Sequence, residues 1–289
     1  MKRARGVGIL LLAAATGLLS GCFGTLNALI PSSTHSRSAD IAYGAGPRQK
    51  LDVYKPATAP PPGGYPVAVY FYGGSWTFGD RAEYEFLGES LASRGILAVV
   101  ADYRRYPEVL FPEFVADSAS ATAWTLDNAA RFGGNPKRVF AFGHSAGAYN
   151  AAMVAIDPRW LAAHGRQRSD LAGWIGLAGP YDFYPLGMTS VQPIFNHPDY
   201  PPDSQPALFP LAGTPLAFLA AGAQDSMVEP HHNTLGMARR LQEAGVPVTV
   251  KLYPNVDHVM VVATFAWPLR WLGWTLGDVA GFIHGTPAR

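Results

Sequence analysis

The chain reads as an α/β fold, a mostly parallel doubly wound sheet with helices on both faces, and three observations point there. Apolar residues make up 48% of the 289 residues and charged ones only 15%, enough to bury a substantial single core. Strand-like and helix-like periods alternate along most of the length. A short apolar run, Arg138 to Phe142, leads straight into Gly143-His144-Ser145-Ala146-Gly147, a strand-to-helix junction in sequence form.

Taken in order, Leu51-Asp52-Val53-Tyr54 and Val67 to Tyr72 have strand character, the second ending at Gly73-Gly74. A helix is predicted over Arg81 to Ser93. Ile96 to Val100 is a continuous apolar run of the kind that fills a central parallel strand buried on both faces. A helix over Phe114 to Ala130, the strand Arg138 to Phe142 and an Ala-rich helix from Ala146 to Ile156 follow. Strands are predicted at Gly173 to Leu177, Leu216 to Ala221 and Val248 to Tyr253, with a helix over Asn233 to Ala244 and a Trp-rich helix from Phe265 to His284. The 31 Gly and 25 Pro are scattered between these runs and read as turns. With a formal net charge of +1 and no basic cluster beyond the first residues, the sequence carries no electrostatic footprint for nucleic acid.

Residues 1–21 read as a signal peptide. Lys2, Arg3 and Arg5 precede an apolar run from Val7 to Leu19 that is short for a bilayer span. Leu19-Ser20-Gly21-Cys22 then resembles the bacterial lipobox, in which the Cys is acylated and becomes the mature N-terminus. Cys22 is the only cysteine, so it has no disulfide partner within the chain. Loss of residues 1–21 removes three basic and no acidic side chains, leaving 19 Lys and Arg against 21 Asp and Glu. Attachment of such a body to anionic lipid would rest on acyl chains. Residues 22–40, with Pro31, Ser32, Ser33, Thr34, Ser36 and Ser38 after Ile30, read as a tether, and 41–289 as the folded domain. The expected location is the cell envelope, and the outer membrane in a Gram-negative host, since Phe23 and not Asp follows Cys22.

The chemistry centres on Ser145. A serine between two glycines on a sharp strand-to-helix turn is exposed above the sheet. Its hydroxyl is a weak nucleophile until a base takes the proton and a carboxylate orients that base. In chain order, Asp225 ends Leu219-Ala220-Ala221-Gly222-Ala223-Gln224 just past a strand, and His258 lies just past the next one. They are the candidate acid and base. Asp182, after Gly179-Pro180-Tyr181, and Asp257, adjacent to His258, are the competing acids, while His231 and His232 fall at a helix start. Donors for a developing oxyanion come from the backbone of Gly73, Gly74 and Ala146.

Together with Asp102-Tyr103-Arg104-Arg105-Tyr106-Pro107-Glu108, these stretches resemble the carboxylesterase branch of the α/β-hydrolases, which includes bacterial esterase/lipase, feruloyl-esterase-like and kynurenine-formamidase-like enzymes. The resemblance runs from about Leu51 to Phe282. It implies a serine hydrolase acting on a small-molecule carboxylic ester, or less often an N-formyl amide, with no metal or organic cofactor. The family usually has His-Gly-Gly where this chain has Tyr72-Gly73-Gly74, which leaves open how the loop is braced. A catalytically idle, tethered binding protein and a serine peptidase are the other classes consistent with the residues. The stretch from Tyr184 to Leu211 reads either as a short lid over an apolar pocket or as a surface loop.

Overall fold

Apolar runs of five to seven residues that lack polar alternation are stable only where both faces of a strand are covered. Such runs build the centre of this molecule. The structure, a computed structural model, describes residues 24–184 and 187–288. Its eight strands are β1 (His35–Ala42), β2 (Lys50–Pro56), β3 (Tyr65–Phe71), β4 (Leu97–Ala101), β5 (Gly134–His144), β6 (Leu171–Leu177), β7 (Ala217–Gly222) and β8 (Val248–Tyr253). They form one sheet in the order β1-β2-β4-β3-β5-β6-β7-β8. The β1-β2 and β2-β4 pairs are antiparallel and all other pairs parallel. Every residue of β3, β4, β6 and β7 is buried.

Helices cover both faces. On one lie α1 (Glu85–Ala92) and the last helix, which touch each other; on the other lie α2 (Glu113–Asn128), α3 (Ala146–Ile156) and α4 (Pro158–Ala162). Three further helices are α5 (Gly236–Glu243), α6 (Met260–Ala263) and α7 (Thr275–Gly285), the last of these being the one against α1. All eleven residues of α3 are buried, and its run of small side chains lets it lie close to the sheet.

Two expectations change. Residues 35–40 are not tether: His35–Ala42 is an edge strand registered on β2 from His35 opposite Pro56 to Ala42 opposite Lys50, with a bulge between Ser38 and Ile41. Its polar, mostly exposed sequence gives no hydrophobic alternation to read. It is fixed by charge, since Arg37 Nη2 lies 2.8 Å from Asp52 Oδ2 and the Asp40 N–H donates to Asp52 Oδ1. Upstream, Asn27 donates to Ala82 O and accepts from the Phe86 N–H, so the chain is tied to the body already at Asn27. The Trp-rich helix expected over Phe265 to His284 is also broken, into a 3-10 turn at Trp267–Leu272 and α7. Pro268 opens the turn and Gly273 ends it in extended backbone against Thr264. Cys22 and the apolar run before it lie outside the described residues, and no described helix is long and apolar enough to cross a membrane.

Candidate active site

The parallel strands all deliver their C-terminal ends to one edge, and the crossover loops there carry the chemistry. At the end of β5 the chain must reverse into α3 within one residue. Ser145 takes that place at φ 54° and ψ −123°, its N–H held by Leu177 O at 2.8 Å. The turn closes only because its flanks lack side chains. A Cβ on Gly143 would collide with the Gly147 carbonyl, and one on Gly147 with the Phe71 carbonyl.

His258 stands in the loop after β8 and Asp225 in the loop after β7. The structure joins them to Ser145 in one row: Ser145 Oγ to His258 Nε2 at 2.9 Å, and His258 Nδ1 to Asp225 Oδ2 at 2.7 Å. The other oxygen of Asp225 accepts the Met227 and Val228 N–H groups, both at 2.9 Å. Burial pushes the Asp225 carboxyl up. The hydrogen bond and charge of His258 and the two backbone donors outweigh that and leave it below the ordinary carboxylate value. An ionised acid thus faces Nδ1, the arrangement that keeps the imidazole lone pair on Nε2 turned towards Ser145.

The competing acids are engaged elsewhere. Asp257 Oδ1 accepts the Val259 and Met260 N–H groups that open α6. Asp182 lies 3.6 Å from His232 at the surface. His144, a member of the turn motif, donates its Nε2–H to His258 O at 2.8 Å and so fixes the loop that carries His258. Burial, followed by the neighbouring His258, pulls the His144 pKa down to about 3, so the ring is neutral. Its buried Nδ1 has no hydrogen-bond partner among the described residues.

The Gly73-Gly74 loop comes down on the same spot. Gly73 approaches so closely that an added Cβ would stand 3.0 Å from Ser145 Cβ. Gly74 lies at φ 124°, and Ser75 and Trp76 also have positive φ, at 49° and 54°. Three successive residues in that region make a strained loop that its surroundings must hold. They do so at both ends. Tyr72, in the place where the resembling family has His, donates its hydroxyl to the buried Asp102 Oδ1 at 2.8 Å and accepts from Arg48 Nη2 at 3.1 Å. Arg48 also donates to Gly79 O, Tyr103 donates its hydroxyl to Tyr72 O, and Trp76 Nε1–H donates to the buried Asn150 of α3 at 3.0 Å. Burial drives the Tyr72 phenol well above its ordinary pKa, so it stays a neutral donor. Ala146, the first residue of α3, lines a cavity beside Ser145 together with Ser75 and Trp76 of this loop.

Tyr72→Phe should therefore leave Asp102 short of a donor and loosen the loop. The expected cost is about 1–3 kcal/mol in unfolding free energy, with a lower kcat at little changed KM. Denaturant titration and steady-state kinetics on one ester check both; a change in KM alone would mean the loop is held without Tyr72.

Two cavities flank Ser145. The larger, about 520 Å³, is lined mainly by Trp76, Phe183, Met188, Val191, Met227 and Val228. The smaller, about 60 Å³, lies against Gly73, Gly74, Phe78, Tyr84 and Val259. The stretch after Tyr184 walls the larger one: Phe195 packs on Trp76, Phe111, Phe114 and Tyr149, and Tyr184 stacks on Tyr200. It is a packed wall and not a detached surface loop.

Residues 68–262 match a family described as alpha/beta hydrolase fold. The chain belongs to the alpha/beta hydrolase family. Among curated relatives of this chain, an isoprenylcysteine alpha-carbonyl methylesterase of Arabidopsis thaliana is 34% identical over 150 residues, which is 50% of this chain and 35% of the plant protein. The chain thus matches only about a third of the length of that relative. Esterase LipQ of Mycobacterium tuberculosis is 27% identical over 86% of this chain and 63% of its own length, and a kynurenine formamidase of Danio rerio is 25% identical over 77% and 75%. Among solved structures, an esterase B from Lactobacillus rhamnosis inhibited by a tributyrin phosphonate superposes with a TM-score of 0.79 over 96% of this chain and 94% of that chain, at 19% identity, which speaks to fold alone.

Proposed function

We propose that this hydrolase is a serine carboxylesterase that works through an acyl-enzyme on Ser145. The observation that carries the reading is the hydrogen-bonded row Asp225–His258–Ser145 opening between two apolar cavities beside a glycine loop. In the reaction, Ser145 Oγ attacks the ester carbonyl carbon while its proton passes to His258 Nε2. Asp225 stabilises the imidazolium, and N–H groups of Gly73, Gly74 and Ala146 receive the oxyanion. The carbonyl re-forms, the alkoxide leaves with the proton from His258, and water repeats the sequence to free the acid and Ser145.

The lining supports an ester with one small and one larger apolar part. The small space beside Gly73 and Gly74 suits a short chain, while the aromatic wall of Trp76 and Phe183 suits a bulkier or aryl group. The likeness to the zebrafish kynurenine formamidase supports a second reading, cleavage of an N-formyl amide. A panel of p-nitrophenyl esters of increasing acyl length, run beside N-formylkynurenine, separates them. The expected result is highest kcat/KM on the short acyl and aryl esters. Turnover confined to the formamide would favour the second reading, and turnover of neither would favour an idle binding protein.

We further propose that the protein is exported, cleaved before Cys22 and acylated there, and held in the cell envelope, at the outer membrane in a Gram-negative host. Support comes from the charged start, the apolar run and Leu19-Ser20-Gly21-Cys22. Wild type should partition with membranes and yield an N-terminal peptide carrying lipid mass; Cys22→Ala should shift to the soluble fraction. Equal partition of the two, or an unmodified wild-type N-terminus, refutes acylation.

A further inference from the structure

Three of the seven tryptophans lie on one eight-residue segment and point outward: Trp267 is 57% exposed, Trp271 80% and Trp274 80%, with Leu272 between them at 42%. Large aromatic side chains seldom stand in water without a partner, and a cluster of them marks a contact surface. We propose that this Trp267–Trp274 face is a membrane-docking surface that lies in the interfacial layer of a lipid bilayer.

The segment is held, so its side chains are presented and not left to collapse. Arg270 Nη2 lies 2.5 Å from the buried Glu89 Oε2 and Arg270 Nε donates to Phe265 O, while Gly273 seats against Thr264. Trp271 Nε1–H is already bonded to Pro268 O at 3.1 Å, which leaves the ring as apolar area. Indoles with an apolar body and a polar N–H favour the boundary between lipid chains and headgroups.

The choice of lipid over protein rests on where the chain leads. Glu89 is shared: its Oε2 holds Arg270, and its Oε1 accepts the Thr34 hydroxyl at 3.0 Å. Seven residues earlier Asn27 is tied to Ala82 and Phe86, at the start of the same helix α1, and Leu29 is 51% exposed. The N-terminal segment therefore leaves the body on the side that carries the tryptophans. Upstream of it in the sequence lie Cys22 and the apolar run Val7 to Leu19, a stretch suited to lipid. An anchor and an aromatic patch on one side constrain the body to a single orientation, with two separate lipid contacts in place of a loose tether. The proposal uses the position of that segment and holds whether or not Cys22 is acylated.

The test is tryptophan fluorescence of the full chain on phosphatidylcholine/phosphatidylglycerol vesicles whose acyl chains are brominated. Wild type and Cys22→Ala should both show bromine quenching, and W267S/W271S/W274S should lose it while retaining turnover of a water-soluble p-nitrophenyl ester and the wild-type circular dichroism spectrum. Equal fractional quenching in wild type and the triple variant overturns the proposal. So does unquenched wild type that sediments as a dimer which the triple substitution dissociates, since the face would then pair two copies. Failure of these outcomes leaves ester turnover untouched, so it is distinguishable from failure of the catalytic reading.

Discussion

Ser145→Ala is expected to reduce ester turnover by on the order of 10⁴- to 10⁶-fold, the range typical of removing a nucleophile from a hydrogen-bonded triad. Among the described residues no other hydroxyl is in place to substitute, because the group bonded to His258 Nε2 is Ser145 Oγ. The fold should be unaffected. The turn is closed by the Ser145 N–H to Leu177 O and by the two bare glycines, none of which the substitution alters. Unfolding free energy should shift by less than about 1 kcal/mol, the net worth of one hydrogen bond. Rates on a single ester with a denaturation curve of the same preparation give both numbers; retained turnover in pure protein refutes the role of Ser145.

The second large effect belongs to the pair behind the serine. His258→Ala and Asp225→Asn should each cost on the order of 10⁴-fold in kcat, and the double and triple variants little more than the worst single one. The Asp225 substitution is the more telling. An amide there would still accept the Met227 and Val228 N–H groups through its oxygen, so the loop keeps its shape. Its NH₂ would face His258 Nδ1, however, and require the tautomer that carries the proton on Nε2, which cannot accept from Ser145. Independent, multiplicative losses would mean that the three side chains do not act as one unit. A near-silent Asp225→Asn alongside a severe change at Asp182 or Asp257 would reassign the acid.

The residues of the row were legible because each sits where a strand of fixed direction must end. Apolar runs reveal β5 and β7 in the sequence and an alternating run reveals β8, and Ser145, Asp225 and His258 are the reactive types just beyond them. The central strands were legible for the same reason. What was not legible depends on partners far apart in sequence. Strand β1 has no apolar face and is held by Arg37 and Asp40 on a buried Asp52, a pairing that periodicity does not register. The brace of the glycine loop joins Arg48, Tyr72 and Asp102 from three separate segments, so the Tyr72 departure could be noticed but not interpreted. His144 showed only as a member of the turn motif, and its bond to the His258 carbonyl spans 114 residues. The break in the C-terminal helix did carry a local signal, Pro268 and Gly273, which the apolar tryptophans obscured.

The central claim, that Ser145 is a nucleophile activated by His258, is tested most directly by covalent labelling with an alkyl fluorophosphonate followed by peptide mass spectrometry. The account predicts one adduct per chain, on the peptide containing Ser145, absent in Ser145→Ala, much slower in His258→Ala, and accompanied by loss of esterase activity in step with labelling. An adduct on any other residue, or hydrolysis that continues in fully labelled protein, would contradict it.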